Sequence, residues 1–224
     1  MNETDAVQSR QVETGKLLLG LSMVIVIVVN MADAVVPPAG IPLAAVAIWL
    51  ILKRTGGTWA DVGLRRPGSW PRTIGLGVAL GVALQMVATY GLAPLLEVLG
   101  AQHDMSQYGG FIGNKKMLAT YMTVSWTTAG FGEELIWRGF IMTRFAKLLN
   151  DSRGARVTAV LVTAVLFGLI HFQQGALGII ATGFVGLVFG AVFFASGRNL
   201  WLVFIAHGIM DTIAFTYLYN GRGM

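Results

Sequence analysis

The sequence predicts an all-α fold: a polytopic membrane helix bundle of about seven transmembrane helices, with six to eight as the range. Composition is the first observation behind this. Apolar residues fill 55% of the 224 positions and charged residues only 12%, whereas a soluble domain is about 25% charged. The second observation is that apolar runs near the roughly 20 residues needed to cross a bilayer recur along the chain, separated by short polar connections. The third is that Lys and Arg keep to alternate connections, as in membrane proteins with a charged cytoplasmic side. The chain therefore reads as one transmembrane domain over 1–224, with a polar N-terminal tail at 1–16 and no room for a sizeable soluble domain.

The first apolar run, 17–36, follows a tail that carries Glu3, Asp5, Arg10, Glu13 and Lys16. Such a tail is too acidic for a signal-peptide start, although Ala32-Asp33-Ala34 has the small-x-small form of a cleavage site. A retained first span is the expectation, with its removal as the alternative. Pro37, Pro38 and Pro42 suit a turn and the opening of a second helix that runs to Leu52. Residues 53–72, with Lys53, Arg54, Arg65, Arg66 and Arg72 between Gly and Pro breakers, form a loop. The third span is 73–99, and Gly77 and Gly81 within it are spaced for close approach by another helix. Residues 101–114 make a polar connection that holds His103, read as a solvated side chain. Residues 117–149 are too long for one simple element, so they form one long helix or two collinear pieces broken near Gly130 and Gly132. A turn with Arg153 and Arg156 leads to spans at 157–172, 177–196 and 200–219. Gly183, Gly186 and Gly190 give the sixth span a small-residue face.

Loops at 53–72, at 144–156 and around Arg198 are positive, and they alternate with connections at 33–42 and 172–176 that have no Lys or Arg. Seven spans with a cytoplasmic N-terminus fit this alternation. The same scatter argues against nucleic acid as a partner despite a net charge of +5, because no single face gathers the cations. The absence of cysteine excludes disulfides, thiol nucleophiles and thiolate metal sites. His, Asp and Glu are left to do any chemistry.

Ionisable groups inside spanning helices are costly and usually functional. Here they fall into three groups within 131–211. In Phe131-Gly132-Glu133-Glu134-Leu135-Ile136-Trp137-Arg138, Glu134 and Arg138 share a helix face and can pair, while Glu133 is turned about 100° away. Phe167 and His171 lie one turn apart, as do His207 and Asp211, and a carboxylate one turn from a histidine can orient it. With about 1.5 Å of rise per residue, Glu133 lies roughly 21 Å before Lys147, His171 roughly 22 Å beyond Arg156 and Asp211 roughly 20 Å beyond Arg198. These three share one layer. His207 comes out roughly 14 Å from Arg198, one turn away from it.

These motifs, in this order, resemble the three signatures of the CPBP (Abi) intramembrane protease family, which includes the CAAX prenyl endopeptidases and bacteriocin-processing enzymes. The resemblance covers about eighty residues and leaves the first hundred unmatched. It implies cleavage of a peptide bond near or within the membrane, with a bacterial or archaeal plasma membrane as the expected location. It implies Glu133 as general base on a water that His171 helps to hold, His207 and Asp211 on the oxyanion side, and Glu134 with Arg138, packed by Phe167, as support. Asp211 departs from the prenyl endopeptidases, which have Asn there. An ionised Asp cannot donate to an oxyanion, so it is protonated, orients His207 or binds a metal.

Family members are widely classed as metalloproteases, although a metal-free glutamate mechanism is also argued for them. No His-Glu-x-x-His helix is present. Metal-free catalysis is the expectation here, with a Zn²⁺ set of Glu133, His171, His207 and Asp211 as the alternative. The expected partners are the lipid bilayer and a membrane-associated peptide or protein substrate: a prenylated C-terminus, a bacteriocin leader or another membrane peptide. Two rival functions stand beside proteolysis. One is a non-catalytic membrane scaffold or bacteriocin-immunity protein. The other is an ion or proton transporter, against which the lack of an internal repeat counts.

Overall fold

A computed structural model describes residues 3–31 and 39–222, and every regular element among them is helical. Seven long helices follow one another: α1 (Glu3–Asn30), α2 (Gly40–Arg54), α3 (Trp70–Val98), α4 (115–148), α5 (Arg153–Leu169), α6 (Gly175–Ala195) and α7 (Leu200–Tyr219). Residues 3–16, expected as a polar tail, continue α1 without a break. The Ala32-Asp33-Ala34 triplet and the Pro37-Pro38 pair lie outside the described residues.

Four stretches are both long and apolar enough to cross a membrane: Glu13–Asn30, Trp70–Val98, Phe172–Ala195 and Leu200–Tyr219. The other helices miss this standard for identifiable reasons. With 15 and 17 residues, α2 and α5 are shorter than the roughly 20 that a bilayer core asks for. The second half of α4 carries Glu133, Glu134, Arg138, Arg144 and Lys147. Large apolar side chains such as Leu17, Leu21, Val24, Val28, Ile74 and Val82 point away from the bundle. A belt of that kind is solvated by lipid and not by water, so the chain is an integral membrane protein.

The connections gather at two ends of the bundle. At the basic end the Arg65 guanidinium donates to the Gly197 carbonyl. There, too, Asp151 accepts from Arg156 at 2.9 Å and from Arg198 at 2.6 Å. These bonds tie together the loops that precede α3, α5 and α7. At the other end, the loop between α3 and α4 is held by backbone bonds of 3.0 Å, from Asp104 N–H to the Gln174 carbonyl, from Leu177 N–H to Gln102 and from Gly113 N–H to Tyr219. His103 is exposed in that loop.

Close helix crossings hold the middle together. The α3–α7 crossing is made by Gly77 and Gly81, as their spacing predicts: a Cβ on Gly81 would sit 2.5 Å from the Ala206 carbonyl oxygen. The small-residue face of α6 meets α5 at Gly168, where a Cβ would come 3.1 Å from the Gly183 Cα. Around these crossings Ile136, Phe140, Met142, Phe189, Phe193, Val203 and Ala206 are fully buried.

Of the two readings for 117–149, one long helix is what forms. The Asn114 side chain accepts from Met117 N–H at 3.1 Å to start it, and Gly130 and Gly132 do not break it. Instead the turns of Ser125–Glu133 and Leu135–Met142 widen to the π form. Wide turns are rare and concentrate at functional sites. Both glutamates lie inside this stretch.

Candidate active site

The wide turns of α4 dock against α7. Trp126 lies flat on Gly208, where a Cβ would come within 2.8 Å of its ring, and its indole N–H donates to Thr212 Oγ1 at 3.1 Å. Next to it, Ser125 Oγ donates to Asp211 Oδ2 at 2.8 Å. About two turns further along α4, Glu134 faces the interior and is fully buried. Its Oε1 accepts from Arg138 Nη1 at 2.8 Å, the pair expected from their spacing, and also from His207 Nδ1 at 2.9 Å. The Arg138 guanidinium lies over the Phe167 ring at 4.2 Å and 5.5 Å from that of Phe189. A buried cation needs its partner carboxylate, and these rings add attraction to its face. Phe167 therefore packs on the cation of this pair.

Spacing gives only part of the surroundings of His207. Asp211, one turn along the same helix, is its expected partner, and His207 Nε2 stands 3.7 Å from Asp211 Oδ2, an ion-pair contact when the ring is charged but longer than a hydrogen bond. The close contact is with Glu134 of another helix. Both i, i+4 neighbours do lie on one face of α7, but Ser125 holds the Asp211 carboxylate while the ring turns its Nδ1 to Glu134.

His171 stands just beyond the end of α5, at the turn Phe172–Gln174, instead of inside the span. Its Nδ1 lies 2.7 Å from the Phe167 carbonyl. A carbonyl only accepts, so Nδ1 carries a proton, and in the neutral ring the lone pair is on Nε2. The ring packs edge-on against Phe167 with centroids 4.8 Å apart.

Glu133 is half-buried, and no donor among the described residues reaches its carboxylate. It nevertheless interacts electrostatically with His171, His207, Asp211 and Glu134. The structure thus gathers the expected residues into one region, His207 included.

Ser125 and Phe189 carry no signal in the sequence. Ser125 sits among Thr123, Thr127 and Thr128, whose hydroxyls all bond back to their own helix, so nothing local marks it out. Phe189 is one more apolar residue in an apolar span.

The zinc alternative meets a test of geometry. Among the described residues no three His, Asp or Glu side chains converge on a point that an ion could occupy. Glu133, His171, His207 and Asp211 do not fit a four-ligand set as arranged, and no step below runs through a metal.

The family model described as type II CAAX prenyl endopeptidase Rce1-like matches residues 115–213, a stretch that contains every residue of this site. No curated protein and no solved structure matches the chain.

Proposed function

We propose that this chain, which matches the type II CAAX prenyl endopeptidase Rce1-like model over residues 115–213, is an intramembrane endopeptidase of that kind that uses Glu133 as its general base on a membrane-associated substrate. One observation carries this reading, the asymmetry of two adjacent carboxylates. Glu134 is engaged by Arg138 and His207, whereas Glu133 has no donor among the described residues and interacts electrostatically with both histidines. A general base needs an available lone pair within reach of the water it activates.

A water between Glu133 and His171 gives its proton to Glu133 as its oxygen adds to the scissile carbonyl. His171, with Nδ1–H spent on Phe167, accepts the second water hydrogen at Nε2 and so aims the oxygen. His207 donates Nδ1–H to Glu134, and in its imidazolium form donates Nε2–H to the tetrahedral oxygen. Asp211, held by Ser125, is an acceptor and serves as countercharge to that ring. Glu133 then passes its proton to the leaving amine and is ionised again. In this reading all seven helices lie within the membrane, with the basic end and the N-terminus in the cytoplasm.

Purified protein in liposomes, offered prenylated C-terminal peptides and leader peptides, provides the test. Glu133→Gln is expected to lower cleavage by about 10²–10⁴-fold with its unfolding midpoint unchanged, and a chelator is expected to have no effect. Equal cleavage by wild type and variant would sink the proposal. Loss of activity in chelator with recovery in Zn²⁺ would overturn its metal-free form.

A further inference from the structure

The basic end of the bundle holds a cleft that the proteolytic reading does not use. It has a volume of ≈ 270 Å³ and is lined by Arg65, Arg66, Pro67, Gly68, Ser196 and Asn199. Arg65 is fixed in place by its bond to the Gly197 carbonyl. Arg66 is exposed and makes no hydrogen bond or ion pair among the described residues. Nearby cations are occupied differently: Arg156 and Arg198 share the single carboxylate of Asp151, and Lys53 lies over the Trp49 ring at 5.3 Å. The one acid between residues 53 and 72, Asp61, is turned back onto Thr58 at 2.7 Å. Among the described residues no carboxylate pairs with the arginines of the cleft.

Two long helices begin at its walls. Gly68 stands two residues before Trp70, where α3 starts, and Asn199 is the residue before α7. A helix N-terminus carries a partial positive charge and favours anions, so both dipoles add to the arginine charges. The position of the cleft indicates what brings the anion. The 29-residue stretch Trp70–Val98 and the 20-residue stretch Leu200–Tyr219 are both membrane-crossing by length and apolarity, so their first residues mark the bilayer surface. Trp70 and Trp201 pair there with ring centroids 5.5 Å apart, and Trp belongs to the headgroup layer.

We propose that this cleft binds the phosphate of an anionic phospholipid headgroup, with Arg66 and Arg65 as donors. A basic pocket between spans at headgroup depth is the form such sites take. Inorganic phosphate shares the chemistry but not the acyl chains that would lie along α3 and α7.

Native mass spectrometry of the full chain in detergent, titrated with phosphatidylglycerol, phosphatidylcholine or inorganic phosphate, tests this. Wild type is expected to take up phosphatidylglycerol in preference to phosphatidylcholine. Arg66→Gln is expected to weaken phosphatidylglycerol binding about fivefold. Arg153→Gln removes an equal charge from the same end outside the cleft, and is expected to leave that binding unchanged. Arg66 holds nothing in the fold, so an unfolding midpoint equal to wild type in phosphatidylcholine is expected for its variant. Equal loss from both variants would reduce the effect to diffuse attraction and overturn the site. So would the absence of any preference for phosphatidylglycerol. Displacement of phosphatidylglycerol by millimolar inorganic phosphate would overturn the lipid as its occupant.

Discussion

Glu133 and Glu134 are neighbours in the chain with opposite surroundings, and substitution separates their roles. Glu134→Gln leaves Arg138 charged, buried and without its carboxylate, a loss of about 3–5 kcal/mol. The unfolding midpoint in detergent should fall steeply, and adding Arg138→Met should recover much of it, because an apolar residue leaves no stranded charge. A midpoint unmoved by Glu134→Gln would remove the pair from the stabilising frame. Ser125→Ala tests the residue that spacing does not reveal. It frees the Asp211 carboxylate, so kcat on any cleaved peptide is expected to drop about tenfold while KM holds; a collapse in stability with no separate effect on kcat would make Ser125 merely structural. Legibility follows chain distance here. The Glu134–Arg138 pair and the Phe167–His171 pair sit four positions apart and can be read from helix geometry. The Glu134–His207 and Ser125–Asp211 bonds join positions 73 and 86 apart, and no local pattern encodes them.

At the scale of elements, apolar runs and their polar breaks are enough to find each long helix, and α7 has the expected ends, 200–219. The form of α4 is not legible. Gly130 and Gly132 look like a break in one dimension, whereas in the bundle they are points of close approach, Gly132 against the Ile41 side chain of α2. The wide turns around them seat Trp126 on α7 and aim Glu133 and Glu134 in different directions, a choice of hydrogen-bond register that depends on the neighbouring helices. The same logic separates two glycines on α3. Gly81→Ala drives a methyl into the Ala206 carbonyl and must push α3 from α7, so a clear fall in unfolding midpoint is expected. At Gly75 a methyl would meet nothing within 4 Å, so Gly75→Ala is expected to hold the midpoint or slightly raise it, by up to about 1 kcal/mol of helix propensity. Equal effects at both positions would show that the α3–α7 crossing is looser than described.

At the scale of the whole molecule, two sets of loops define two ends, and labelling can read them directly. The chain has no cysteine, so single-cysteine variants report one site each. In sealed vesicles, Gly68→Cys and Gly154→Cys are expected to react with a membrane-impermeant maleimide from one side, and Gln107→Cys and Asn220→Cys from the other. Reaction of Gly68→Cys and Gln107→Cys from the same side would contradict α3 as a span. Reaction of Gln107→Cys and Gly154→Cys from the same side would remove α4 from the count.

Taken alone, the sequence determined that this is a helical membrane protein, roughly where its helices run, which loops are positive and which few ionisable residues interrupt its apolar runs. Each of these depends on consecutive residues: transfer cost accumulates over about 20 positions, and a helix face repeats every three or four. Only the tertiary structure decided that His207 bonds Glu134 of another helix, that α4 is continuous and wide-turned, and that Glu133 is the carboxylate without a donor among the described residues. Those outcomes depend on which helices touch and in what register, and packing between residues far apart in the chain sets both.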